Sequence, residues 1–153
     1  RMTVAGSILV DDVAHTVEGE AWFDHQYGAL GNVSIAGWDW FALQLDDGRE
    51  IMIFLSAAGD TLHGGSIRDG DCVTEIDEST LSVTESDDWT SEVTGCTYPQ
   101  RWEIDVEGEH FVIESVLEDQ EMPNSYNNYW EGAALVSGDQ TGRAYVELAG
   151  QCD

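Results

Sequence analysis

WDWFALQLDDGREIMIFLS, Trp38 to Ser56, is the stretch whose reading decides the fold. Two apolar runs flank Asp46-Asp47-Gly48, a tripeptide suited to a tight reversal, so the segment reads as a β-hairpin. The same grammar recurs on both sides. RWEIDVEGEHFVIESV, Arg101 to Val116, is a second hairpin with Glu107-Gly108-Glu109 at its tip. YWEGAALVSGDQTGRAYVELAG, Tyr129 to Gly150, is a third that turns between Gly138 and Gly142. TVAGSILVDDVAHTVEGEAWFDHQ, Thr3 to Gln26, supplies the first strands, and CVTEIDESTLSVTE, Cys72 to Glu85, supplies two short ones. About ten strands follow at spacings near ten residues, with no helical period. DQEMPNSYNN, Asp119 to Asn128, is the most loop-like stretch. The pattern predicts one all-β domain over residues 1–153, an antiparallel barrel or sandwich. A closed antiparallel barrel of about 8–10 strands has room inside for one small ligand.

Charge excludes some partners. The chain carries 31 acids against five basic residues, all Arg, for a net charge of −26. Nucleic acid and anionic membrane surfaces are disfavoured, because their phosphates would repel it. Either a halophilic, Lys-free surface suited to concentrated salt or an acidic face for a cationic partner or Ca²⁺ fits this balance. Acids scattered along the chain, with no D-x-D-x-D-G loop, favour the first. With 42% hydrophobic residues the chain is no disordered acidic tail. No apolar run approaches the ~20 residues of a helical membrane span, and no secretory signal is visible. The sequence starts at Arg1 rather than Met, which leaves room for a cleaved or omitted upstream segment, and the compartment stays open. Cys72, Cys96 and Cys152 form no CxxC and no zinc spacing. They read as idle thiols or as one disulfide, with Cys96–Cys152 the candidate pair. His15, His63 and His110 are isolated singles, so no metal site is expected.

AWFDHQYG, Ala21 to Gly28, sets an acid and an imidazole between aromatics. Strand alternation puts Trp22, Asp24 and Gln26 on one face and Phe23, His25 and Tyr27 on the other. On the next strand Trp38 and Trp40 share a face with Ala42 and Gln44. If these faces point into the barrel, Asp24 sits among indoles, and burial there raises its pKa. A protonated carboxyl among aromatic rings suits protonation of a carbon–carbon double bond, with the cation stabilised by Trp22, Trp38 and Trp40. His25 reaches Asp24 or a water only if a bulge breaks the alternation. Gln26 can hold a water or a carbonyl. In Tyr129-Trp130-Glu131-Gly132, Glu131 is a candidate second acid or base beside Tyr129, with Trp130 facing the other way. The structural readings are a surface acid for Glu131, a core anchor for Trp130 and a loop tether for Asp24. Tyr98-Pro99 with Trp102 reads as an aromatic corner of the barrel, and Trp89 as an end plug. No G-x-S-x-G elbow, P-loop or GxGxxG is present.

VEGEAWFDHQYG, GWDWFALQLDDGREIMIF, WTSEVTGCTYPQRWEIDV and YWEGAALVSGDQTGRAYVELAG, in that order, resemble the lipocalin-like hydroxyneurosporene synthase (carotenoid 1,2-hydratase) family. Kievitone hydratase and the fungal lipocalin-like Diels–Alderases are similar to it. The resemblance runs from about Val4 to Gly150 and implies a lipocalin-like (calycin) barrel. It also implies cofactor-independent hydration, isomerisation or cyclisation of an apolar isoprenoid or polyketide-like substrate, with Asp24 as proton donor. Members usually carry two lipocalin-like domains in tandem, and this chain resembles only the second. A second lipocalin-like domain or a homodimer is therefore an expected partner. A non-catalytic carrier of a hydrophobic small molecule, or a structural domain of a larger halophilic assembly, are the rival expectations, because this fold hosts several chemistries.

Overall fold

A computed structural model describes residues 1–25, 37–56, 63–123 and 128–152. The chain forms fourteen described strands: β1 (Met2–Val10), β2 (Val13–Ala21), β3 (Trp38–Leu45), β4 (Glu50–Ser56), β5 (His63–Asp69), β6 (Cys72–Glu75), β7 (Ser82–Ser86), β8 (Trp89–Thr90), β9 (Thr97–Tyr98), β10 (Arg101–Val106), β11 (Glu109–Ser115), β12 (Glu121–Met122), β13 (Tyr129–Gly138) and β14 (Gly142–Ala149). A 3-10 turn, Glu78–Thr80, joins β6 to β7.

The three hairpins anticipated from the sequence all form. Each is an antiparallel ladder: β3 with β4, β10 with β11, and β13 with β14. They unite in one curled sheet of order β6-β5-β4-β3-β14-β13-β11-β10-β7, with β12 added beside β13. Among the described residues no ladder joins β6 to β7, so the barrel is open along that seam. The 76–83 connection spans it: Ile76, Leu81 and Val83 pack against the core there. Gly65 makes this possible, since a Cβ on it would strike the Met52 carbonyl and the Ile76 side chain.

Alternation decides which side is which. Phe41, Leu43 and Leu45 of β3 face inward with Ile51 and Ile53 of β4, all fully buried. Trp102 and Ile104 of β10, Phe111 and Ile113 of β11, Trp130 of β13 and Val146 and Leu148 of β14 complete the interior. The lumen is thus filled with side chains, and Trp102 touches both Phe41 and Trp130, its ring centre 5.8 and 6.0 Å from theirs. Packing of this kind excludes water and supplies most of the stabilising free energy. Arg49 ties the first hairpin to the second through a two-pronged contact with Glu109 at 2.6 and 2.8 Å. Tyr98 is buried and donates to Glu121 at 2.9 Å, and Trp89 stacks on it. Cys96 and Cys152 form the disulfide, which fastens the C-terminal residues beside β9, while Cys72 is free and exposed.

The β1–β2 hairpin stands apart. Among the described residues its two strands pair only with each other, through a turn in which Asp11 and Asp12 both take positive φ. Almost every residue on it is exposed.

Candidate functional site

The sequence reading enclosed Asp24 among indoles only on the condition that the Trp22–Trp40 face points into the barrel. That face lies outside. Phe41, Leu43 and Leu45 claim the interior, so the alternate residues Trp38, Trp40, Ala42 and Gln44 fall on the other face of the sheet. Register brings Glu147, Tyr145 and Arg143 of β14 beside them, and Tyr129 and Glu131 of β13 one strand further. The chain leaves β2 at Ala21 and lays Trp22 and Asp24 over this face. Trp22 meets Trp40 edge-to-face at 6.1 Å, and Trp38 packs against Tyr129 at 5.6 Å. The result is a cleft of about 420 Å³ lined by Trp22, Asp24, Trp40, Gln44, Arg143, Tyr145 and Glu147 among others. On the far side of the Trp22–Asp24 segment a second cavity of about 440 Å³ opens, bordered by Met2, Phe23, Met52, Arg68 and Val73 among others.

Two carboxyl groups, Asp24 and Glu147, line the first cleft, and Glu131 stands beside Glu147 one strand further. Burial pushes the Glu147 pKa up, and the charges of Glu131 and Asp24 push the same way. The Trp38 indole opposes them with a hydrogen bond to Glu147. The Tyr145 hydroxyl donates to Glu131 at 3.0 Å. Burial and then that bond push the phenol up to about 12, so it remains a donor. The Nε1 of Trp22 is buried and has no acceptor among the described residues. An indole-walled space beside a carboxyl whose pKa is raised by burial suits an apolar molecule and a proton donor.

The candidates named from the sequence are therefore divided. Trp22, Asp24, Trp38, Trp40, Tyr129 and Glu131 share one sheet face. Asp24 is exposed at the cleft rim rather than enclosed by indoles. His25 is also exposed, its ring 6.0 Å from Phe23. Trp130 belongs to the opposite face: it is fully buried in the core, and its Nε1 donates to the Glu118 carbonyl at 2.7 Å. Gln26 and Tyr27 lie outside the described residues.

One carboxyl was missed. Asp39 pairs in register with Leu148 and Leu55 and faces inward, at the end of the lumen. Burial, then the charge and hydrogen bond of Glu85, push its pKa up to about 7. Gln151 donates to it at 3.2 Å. The Asp39–Glu85 contact joins β3 to β7 across the lumen. The signal was legible: in WDWFALQL the acid is in phase with Phe41, Leu43 and Leu45, and an acid in phase with core residues is not a surface acid.

The comparisons with known proteins agree on the fold. The model of the AttH-like family matches residues 1–151. The AttH structure from Nitrosomonas europaea superposes with a TM-score of 0.81 at 25% identity, over 99% of this chain and 50% of that one. Kievitone hydratase from Nectria haematococca superposes with a TM-score of 0.72 at 19% identity, over 95% and 49%. No curated protein matches the sequence. The lipocalin-like sheet expected from the motifs is the fold these structures share, and this chain spans about half the length of each. With a match over nearly its whole length, the chain belongs to the AttH-like family.

Proposed function

We propose that the chain is a hydratase-like enzyme that adds water to a double bond of an apolar, unsaturated molecule seated in the Trp22–Trp40 cleft. One observation carries the reading: Asp24 and Glu147 line an indole-walled space, and burial with the charge of neighbouring Glu131 biases Glu147 toward its protonated form. The carboxyl donates its proton to one alkene carbon. The π electrons form the new C–H bond, and the other carbon becomes a cation facing Trp22 and Trp40. Water adds to that carbon and returns a proton to the carboxylate, so the net change is one water and the acid is regenerated. Asp24 takes the donor role given by the resemblance to the carotenoid hydratases, and Glu147 shares its proton from the cleft wall. Gln44, which lines the cleft, meets the water or the new hydroxyl. Capture of the cation by an internal alkene gives cyclisation instead. None of these steps calls for a cofactor.

The test is a product assay in concentrated salt with acyclic terpenoids, carotenoids and polyenes, read by mass spectrometry. Wild type is expected to give a product heavier by one water, and Asp24→Asn or Glu147→Gln to lower the rate by ~10²-fold or more. Tryptophan quenching by a ligand with no turnover would make the cleft a carrier site. A second reading rests on Asp39, whose carboxyl keeps its proton to about pH 7. Activity lost in Asp39→Asn but kept in the two cleft variants would move the chemistry to the end of the lumen.

A further inference from the structure

The five arginines differ in their partners. Arg1, Arg49, Arg68 and Arg101 each meet carboxylates, at 2.6 to 3.5 Å. Arg143 forms no ion pair among the described residues, in a chain with 31 acids. It lines the first cleft and is open to solvent there. Register sets Gln44 of β3 beside it on one side and Leu135 of β13 on the other. Asp46, the next acid along this face of β3, accepts from the Thr141 hydroxyl at 2.6 Å. Glu50, beyond Gln44 on β4, is engaged by Arg68 at 3.2 Å. The cleft is therefore acidic at one end and basic at the other. Glu147 and Trp40 are register partners at the first end, where the charge of Asp24 also acts on Glu147. Arg143 and Gln44 are register partners at the second, four residues away along the same strands, or ~13 Å. Tyr145 and Ala42 lie between them.

We propose that Arg143, with Gln44 beside it, receives a carboxylate at the end of the substrate remote from the reacting double bond, so that the cleft takes a linear unsaturated acid. The inference rests on the hydratase reading for which end reacts; the anion end rests on Arg143 itself. A guanidinium presents a planar fork that matches a carboxylate through two parallel N–H···O bonds, and the Gln44 amide can add a third. One guanidinium balances one negative charge, which selects a carboxylate over a phosphate dianion. The net charge of −26 does not forbid it, because in molar salt that repulsion is screened beyond ~3 Å while a contact pair at hydrogen-bond distance is kept. Anchoring the head fixes which double bond reaches Glu147 and Asp24, so Arg143 sets specificity by position and takes no part in proton transfer.

The experiment is a titration of tryptophan fluorescence, to which Trp22 and Trp40 of the cleft contribute, with farnesoic acid and its methyl ester in about 1 M KCl near pH 7, where the acid is ionised. The two probes share a skeleton with a double bond at the far end and differ by one charge. Wild type is expected to bind the acid at least ~10-fold more tightly than the ester. Arg143→Gln is expected to abolish that preference and Arg143→Lys to keep part of it, since an ammonium lacks the fork. Arg101→Gln removes the same charge from β10, outside the cleft, and is expected to keep the whole preference. Equal affinity for the two probes in wild type, no quenching by the acid, or a preference that survives Arg143→Gln would overturn the proposal. Mass spectrometry of the same mixtures separates it from the hydratase reading. Acid held through Arg143 without gain of water overturns hydration and leaves the anion end standing, whereas hydration of both probes at equal affinity does the reverse.

Discussion

At the scale of single residues, two acids have been drawn away from water. The Asp39 carboxyl holds its proton to about pH 7 when folded and releases it near 3.8 in its ordinary state. Between those values folding takes up a proton, so stability falls as pH rises through the window. Thermal melts from pH 4 to pH 8 in concentrated salt are expected to show that decline, of about 1–3 kcal/mol. Asp39→Asn is expected to flatten it, and an undiminished slope in that variant would assign the dependence elsewhere. Glu147 shifts in the same direction, so Glu147→Gln removes a smaller part. Neither residue was singled out from the sequence. Asp39 could have been, from its phase with Phe41; Glu147 could not, because its burial comes from Trp22 and Trp38, which belong to other parts of the chain.

At the scale of elements, each piece of the sheet is held by a specific device. The Cys96–Cys152 bond closes a loop of 56 residues, for which the chain-entropy argument gives about 4 kcal/mol. Cys152→Ser is expected to lower stability by about 2–4 kcal/mol in urea titrations. Cys72→Ser, at an exposed thiol, is expected to leave the midpoint unmoved. Trp102 and Trp130 are the largest fully buried side chains among the described residues, and Trp102 touches both Phe41 and Trp130, so Trp102→Ala is expected to cost ~3–5 kcal/mol. The β1–β2 hairpin is tied only at its base among the described residues, where the Arg1 amine meets Glu50 at 2.8 Å and the Arg1 guanidinium meets Glu20 at 3.5 Å. Its amides beyond that base are expected to exchange with solvent well before those of β3 and β14. Equal protection would mean that the hairpin is held along its length.

At the scale of the whole molecule, charge and topology act together. With 31 acids on 153 residues, most of them outside the core, folding concentrates negative charge on one small surface. That repulsion is screened within a few Å in molar salt and reaches across the molecule in millimolar salt. Circular dichroism is expected to show the sheet loosening as KCl falls from molar to millimolar. A spectrum unchanged over that range would sink the halophilic reading of the composition. Topology decides the position of the cleft. Because β3 lies at the middle of the sheet with both neighbours pairing along its length, only one of its faces can meet the lumen.

The sequence by itself determined the three hairpins, their turns and the all-β class, because alternation and turn chemistry are local properties, while the lipocalin-like sheet followed from the resemblance of its motifs. It also put Trp22 with Asp24, Trp38 with Trp40 and Tyr129 with Glu131, since alternation sets each pair on one face. Only the tertiary structure decided which phase faces inward. Period-two alternation names two faces without saying which is buried, and in WDWFALQL both are hydrophobic. The curl of the sheet resolved it: Phe41, Leu43 and Leu45 interlock with Trp102, Phe111 and Leu148 across the lumen, and the indoles, displaced to the other side, became the wall of a cleft.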